Sequence, residues 1–121
     1  MSKKVGASAF SKDKEYRYDV KNPEGVVIGE IVLNAFKQPV LDRYREIRNG
    51  NGRSKGSIPK ARAYLFEKTY SRFEFAEKDC ELDLGECRTE VDFFLTNCLM
   101  TVDAIIIQHL AEVFPDVDPK E

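Results

Sequence analysis

The single histidine, His109, and the three cysteines, Cys80, Cys87 and Cys98, are the side chains with which this chain could hold a metal or attack a substrate. Their spacing argues against both. No two cysteines stand in the C-x-x-C pairing of zinc ribbons and redox motifs, and an odd number does not suit a disulfide framework. A site built from Cys80, Cys87, Cys98 and His109 matches no zinc-ligand pattern. Cys98 falls in an apolar helical stretch, where a thiol packs as a small hydrophobe. Cys80 and Cys87 read as loop residues. His109 falls on the inner face of the same helical stretch, which makes it a structural residue. The carboxylates between Glu74 and Asp92 read as a solvated acidic face. Arg53-Ser54-Lys55, in a glycine-rich loop, lacks the preceding strand and the following Lys-Ser/Thr pair of a phosphate-binding loop. No nucleophile motif surrounds a serine or a cysteine. The expectation is therefore a protein that binds other proteins, with no catalytic residue, no cofactor and no metal.

Charge is divided unevenly along the chain, although its formal net charge is only −2. Residues 1–73 carry 16 Lys/Arg against 8 Asp/Glu, whereas residues 74–121 carry 3 against 13. Opposite halves can attract within one molecule, attract between neighbours, or offer a basic surface to nucleic acid. The basic run Arg43, Arg45, Arg48, Arg53, Lys55, Lys60 and Arg62 is interleaved with Tyr44 and Tyr64, so the alternative reading is a small nucleic-acid-binding regulator using segment 43–62. Both tyrosines fit a helical core pattern equally well, and a pI of about 5.5 does not suit a dedicated DNA binder.

With 121 residues, of which 42% are apolar, the chain suits a single domain with one modest core. The first twenty residues are too polar for a signal peptide. The most apolar stretch is interrupted by Asp92, Asn97, Asp103 and Gln108, too much polarity for a bilayer span. A cytoplasmic location is expected.

Residues 1–13 have no sustained period and are expected to form a mobile arm, ahead of a domain over 14–121. Tyr16, Tyr18 and Val20 alternate with polar residues, the period of a half-buried strand. Asn22-Pro23-Glu24-Gly25 is a turn signal. Val26 to Leu33 is rich in β-branched residues, with Gly29 marking a bulge or a close backbone approach, so a hairpin is expected over 14–33. Helical spacing then predicts a short helix at about 39–49, started by Pro39, and a second at about 59–77 with Ser57 near its cap, separated by a flexible glycine-rich loop. A third and longest helix is expected at about 90–114, with Thr89 as its cap and Pro115 after its end. The fold class is α+β, mainly α: an N-terminal β-hairpin followed by three helices.

That last helix is apolar on two flanks. One carries Val91, Phe94, Leu95, Cys98, Leu99, Val102, Ile106, His109, Leu110 and Val113; the other carries Phe93, Met100, Ala104, Ile107, Ala111 and Phe114. A surface helix needs a single apolar stripe, so the second flank is the candidate protein-interaction face, and the chain is expected to associate with further copies of itself.

The hairpin Y-R-Y-D-V-K-N-P-E-G-V-V-I-G-E-I-V-L, the short helices, and a long C-terminal helix ending in V-F-P-D-V-D-P-K-E resemble, over residues 14–121, the tail assembly chaperones of long-tailed bacteriophages. The likeness is one of layout, since that family has no catalytic signature. It implies a chaperone in the host cytoplasm that binds the extended tape measure protein, recruits tail tube subunits, and is absent from the finished virion.

Overall fold

In the computed structural model, which describes residues 15–115, strand β1 (Glu15–Lys21) turns back into β2 (Val27–Asn34). The turn closes as its composition requires. Gly25 sits at φ +83°, its N–H donates to the Asn22 carbonyl at 2.9 Å, and the Asn22 side chain accepts from the Val26 N–H at 2.9 Å. Helices α1 (Gln38–Asn49) and α2 (Ile58–Thr69) follow. The glycine-rich loop between them is a closed turn: Gly50 pairs with Lys55, and the Asn51 side chain accepts from the N–H groups of Arg53 and Ser54. Ser57 caps α2 by accepting from the Lys60 N–H.

The expected hairpin-plus-three-helices layout is corrected at two places. Residues 70–75 do not continue the second helix; they form strand β3 (Tyr70–Phe75), and the sheet is three-stranded and antiparallel in the order β1-β2-β3. The helix ends where the Thr69 hydroxyl donates back to the Leu65 carbonyl at 2.8 Å, and the open edge of β2 supplies the pairing that residues 70–75 need. Phe73 and Phe75 then share one face of the strand and Arg72 and Glu74 the other, a period of two. The helix expected at about 90–114 is likewise divided, into α3 (Glu90–Asn97) and α4 (Leu99–Val113), with Cys98 in a non-helical conformation between them. Thr96 and Asn97 are weak helix formers whose side chains compete for backbone groups, and the Asn97 amide donates to the Phe93 carbonyl at 3.0 Å. The fold is thus α+β, with a three-stranded sheet and four helices among the described residues. The arm expected at residues 1–13 lies outside them.

The core fills one side of the sheet. Tyr18, Val20, Ile31 and Leu33 face Leu65 and Phe66 of α2, Phe94 of α3, and Val102, Ile106 and Leu110 of α4. Phe66, Tyr70, Phe73 and Phe94 meet as an aromatic cluster, with Phe73 and Phe94 centroids 5.3 Å apart. Gly29 marks the close approach anticipated for it, since a β-carbon there would lie 2.5 Å from both the Glu74 carbonyl oxygen and the Phe73 ring.

The opposite side of the sheet carries charge. Val32 stands between Arg17 and Arg72 in register and is fully buried, because the two long side chains cover it. Arg72 forks onto Glu15 at 2.9 and 3.1 Å, and Arg17 pairs with Glu74. These contacts hold Glu15 and Glu74 below the usual carboxylate range.

Overpacking costs typically ~1–3 kcal/mol. Gly29→Ala is expected to destabilise the fold by about that much, measured as a lowered urea midpoint with an unchanged slope, because the nearest obstacle is backbone as well as ring.

Candidate protein-binding surface

The buried residues of α4 (Val102, Ile105, Ile106, His109 and Leu110) recur at three- and four-residue spacing and form one stripe. His109, fully buried, anchors that stripe to the sheet. Its Nε2 lies 2.9 Å from the Asn34 carbonyl oxygen, which can only accept, so Nε2 carries the proton. Nδ1 is then an acceptor, 2.8 Å from the Tyr18 hydroxyl. That hydroxyl also lies 2.9 Å from Glu112 Oε2, so its one proton serves two acceptors. The rings of Tyr16, Tyr18 and Phe36 surround the imidazole at 5.0, 5.6 and 5.5 Å. Burial holds the His109 pKa down at about 4, against the opposing pull of the Asn34 carbonyl and Glu112. Burial, with Glu112 beside it, pushes the Tyr18 hydroxyl well above its ordinary value. This histidine is a neutral structural post.

With His109 inward, Met100, Ala104, Ile107 and Ala111 stand roughly half a turn away, about 140–180° round the helix at 100° per residue. Met100 is 88% exposed and Leu99 46%; Ala104 and Ala111 are exposed and Ile107 is half-buried. The six interaction candidates therefore separate into two groups. Met100, Ala104, Ile107 and Ala111 form one outward stripe. Phe93 packs edge-on against Phe94 at 5.4 Å and Phe114 against Phe36 at 5.3 Å, so both rings sit half-buried at the rim of the core.

A second apolar surface was not among the candidates read from sequence. Val26, Val27 and Ile28 are all substantially exposed, and with Phe75 and Ala76 they line a cleft of about 410 Å³ at the hairpin end of the sheet. The signal was present as three consecutive β-branched residues, too many for one face of an alternating strand. A register shift at Val20/Lys21 turns the excess outward.

Segment 43–62 supplies the α1–α2 hairpin. Tyr44 is buried and Tyr64 half-buried, both packed into or against the core, so neither is a free platform for a nucleobase. Arg43 pairs with Glu46 at 2.8 Å and Arg62 with Asp103 at 3.2 Å. The cysteines are free thiols. Among the described residues no group of three or more His, Cys, Asp or Glu side chains is arranged to hold a metal, and no helix is long and apolar enough to cross a membrane. Comparison with family models, with curated proteins and with solved structures finds no match to this chain.

The depressed His109 pKa makes stability depend on pH in a definite direction. The folded imidazole rejects a proton that the unfolded one accepts near pH 6.5. Its contribution is fully present above that value and is lost as pH falls towards about 4. Urea midpoints measured between pH 7 and roughly 5, before most carboxylates titrate, are expected to fall with a slope approaching about 1.4 kcal/mol per pH unit. In His109→Asn that slope flattens, at the cost of lower stability throughout.

Proposed function

We propose that this protein is a non-catalytic binding protein that serves as a tail assembly chaperone of a long-tailed bacteriophage, holding the tape measure protein and recruiting tail tube subunits in the host cytoplasm as an assembly of several copies. The observation that carries this reading is the outward stripe Met100, Ala104, Ile107 and Ala111. A chaperone for a long helical partner needs an apolar strip along which another helix can lie, its side chains entering at three- and four-residue spacing. The small residues Ala104 and Ala111 allow close approach, and Met100 adapts its shape to different partners. The hairpin-end cleft, lined by other residues, gives a second partner a separate place to bind, as recruitment requires.

The stripe lies on the surface, so it can be altered without touching the core. Co-expression with the tape measure and tail tube proteins of the same phage is expected to yield a complex that copurifies. Met100→Asp and Ala104→Asp are each expected to weaken it by about tenfold or more, the value of one buried apolar side chain, with far-ultraviolet circular dichroism unchanged. Absence of both partners, together with steeply salt-dependent retention on DNA, would instead support the regulator that uses segment 43–62.

A further inference from the structure

Among the described residues β1 is an edge of the sheet, and it borders an open cleft of about 620 Å³ shared with α4, lined by Arg17, Asp19 and Lys21 on one side and Met100, Ala104 and Gln108 on the other. Edge strands in proteins are usually defended by charged side chains, by proline, by bulges, or by a covering element, because every second residue presents an unpaired backbone N–H and C=O. β1 has no proline, and its one irregularity lies at its last residue. What the strand does have is an ordered charge series on its solvent face: Glu15, Arg17, Asp19 and Lys21.

That series is its own complement when read backwards. If two copies of β1 run antiparallel about a two-fold axis through Tyr18, Glu15 stands opposite Lys21 of the second copy, and Arg17 opposite Asp19. The same two pairs recur on the other side of the axis. On the inner face Tyr16 meets Val20, and the two Tyr18 residues meet each other. All four charged pairs across the join are of opposite sign, the arrangement that favours strand pairing.

The charges within one copy leave room for such a join. Asp19 stands directly opposite Glu30, a like-charge pair that disfavours the strand as it is. Among the described residues neither the Asp19 nor the Lys21 side chain makes a hydrogen bond or an ion pair. Arg17 has both terminal nitrogens on Glu15 and Glu74, which leaves its Nε–H for the Asp19 of a second copy. On the opposite edge Arg72 and Glu74 are both paired, and on β1 Glu15 and Arg17 are paired as well, so the charges of the series left for a second copy are those of Asp19 and Lys21.

We propose that β1 pairs with β1 of a second copy to make a continuous six-stranded sheet, an isologous dimer specified by the charge order Glu15, Arg17, Asp19, Lys21. The interface is symmetric, so each contact occurs twice, and Met100 of each copy borders the new strand pair. The proposal concerns how copies of this chain join; Met100 and Ala104 line the same cleft, so its test alters only charges on β1, which the α4 stripe does not include.

The charge order supplies its own test by sedimentation equilibrium. The unaltered chain is expected to dimerise. Asp19→Lys sets Lys against Arg17 twice, and Arg17→Asp sets Asp against Asp19 twice, so each is expected to weaken the dimer at least about tenfold. Mixed together, the two variants restore opposite charge at every pair, and a heterodimer as tight as the original is expected. Recovery in the mixture also shows that both variants fold. A chain that stays monomeric at high concentration, a dimer indifferent to both variants, or a mixture that fails to recover would each overturn the proposal.

Discussion

The seating of α4 across β1 is the interaction on which the rest of the molecule depends. A buried, neutral imidazole has two polar atoms to satisfy, and His109 satisfies both from the sheet, through the Asn34 carbonyl and the Tyr18 hydroxyl. This fixes the rotation of α4 about its own axis more tightly than aliphatic packing alone, because rotating the helix by one residue would strand both nitrogens in an apolar ring cage. Once the rotation is set, Val102, Ile106 and Leu110 must face inward and Met100, Ala104 and Ala111 must face out. The outward apolar stripe is the geometric remainder of burying His109.

The sheet imposes the second constraint. With three strands and one apolar face, it can be covered by a single layer of helices, and α2, α3 and α4 form that layer. The aromatic cluster of Phe66, Tyr70, Phe73 and Phe94 joins α2, β3 and α3, and Gly29 gives the Phe73 ring the space it needs against β2. On the far face no second layer forms among the described residues, and Arg17 and Arg72 shield Val32 while holding the carboxylates around them. The same alternation that keeps this face wet puts an ordered row of charges on β1, so a solvation pattern can double as a pairing code at the open edge.

Much of this was legible locally. The hairpin shows in the alternation of Tyr16, Tyr18 and Val20 and in the Asn22–Gly25 turn, and the starts of α2 and α3 show in Ser57 and Thr89, because strand period, turn and cap are written in neighbouring residues. β3 was hidden because Tyr70 and Phe73 stand three apart and extend the helical spacing of α2. Only the irregular register between Val32 and Leu33, a non-local feature, places both rings on the core side. The break at Cys98 was hidden for a related reason: apolar residues keep helical spacing on both sides of it, and Thr96-Asn97 is a weak local stop. Four of the six interaction candidates follow from their angle to His109, which any helical projection contains. The surroundings of Phe93 and Phe114 depend on that break and on Phe36, partners that no window around either residue contains.

The most direct test of the account is the solvent exposure of α4 side chains, measured as paramagnetic broadening of methyl resonances by a soluble agent in protein dilute enough to be monomeric. Strong broadening of Met100, Ala104 and Ala111 is expected, with Val102, Ile106 and Leu110 protected. Equal broadening of the two sets, or protection of Met100 in the monomer, would contradict the claim that His109 sets the helix with this stripe outward.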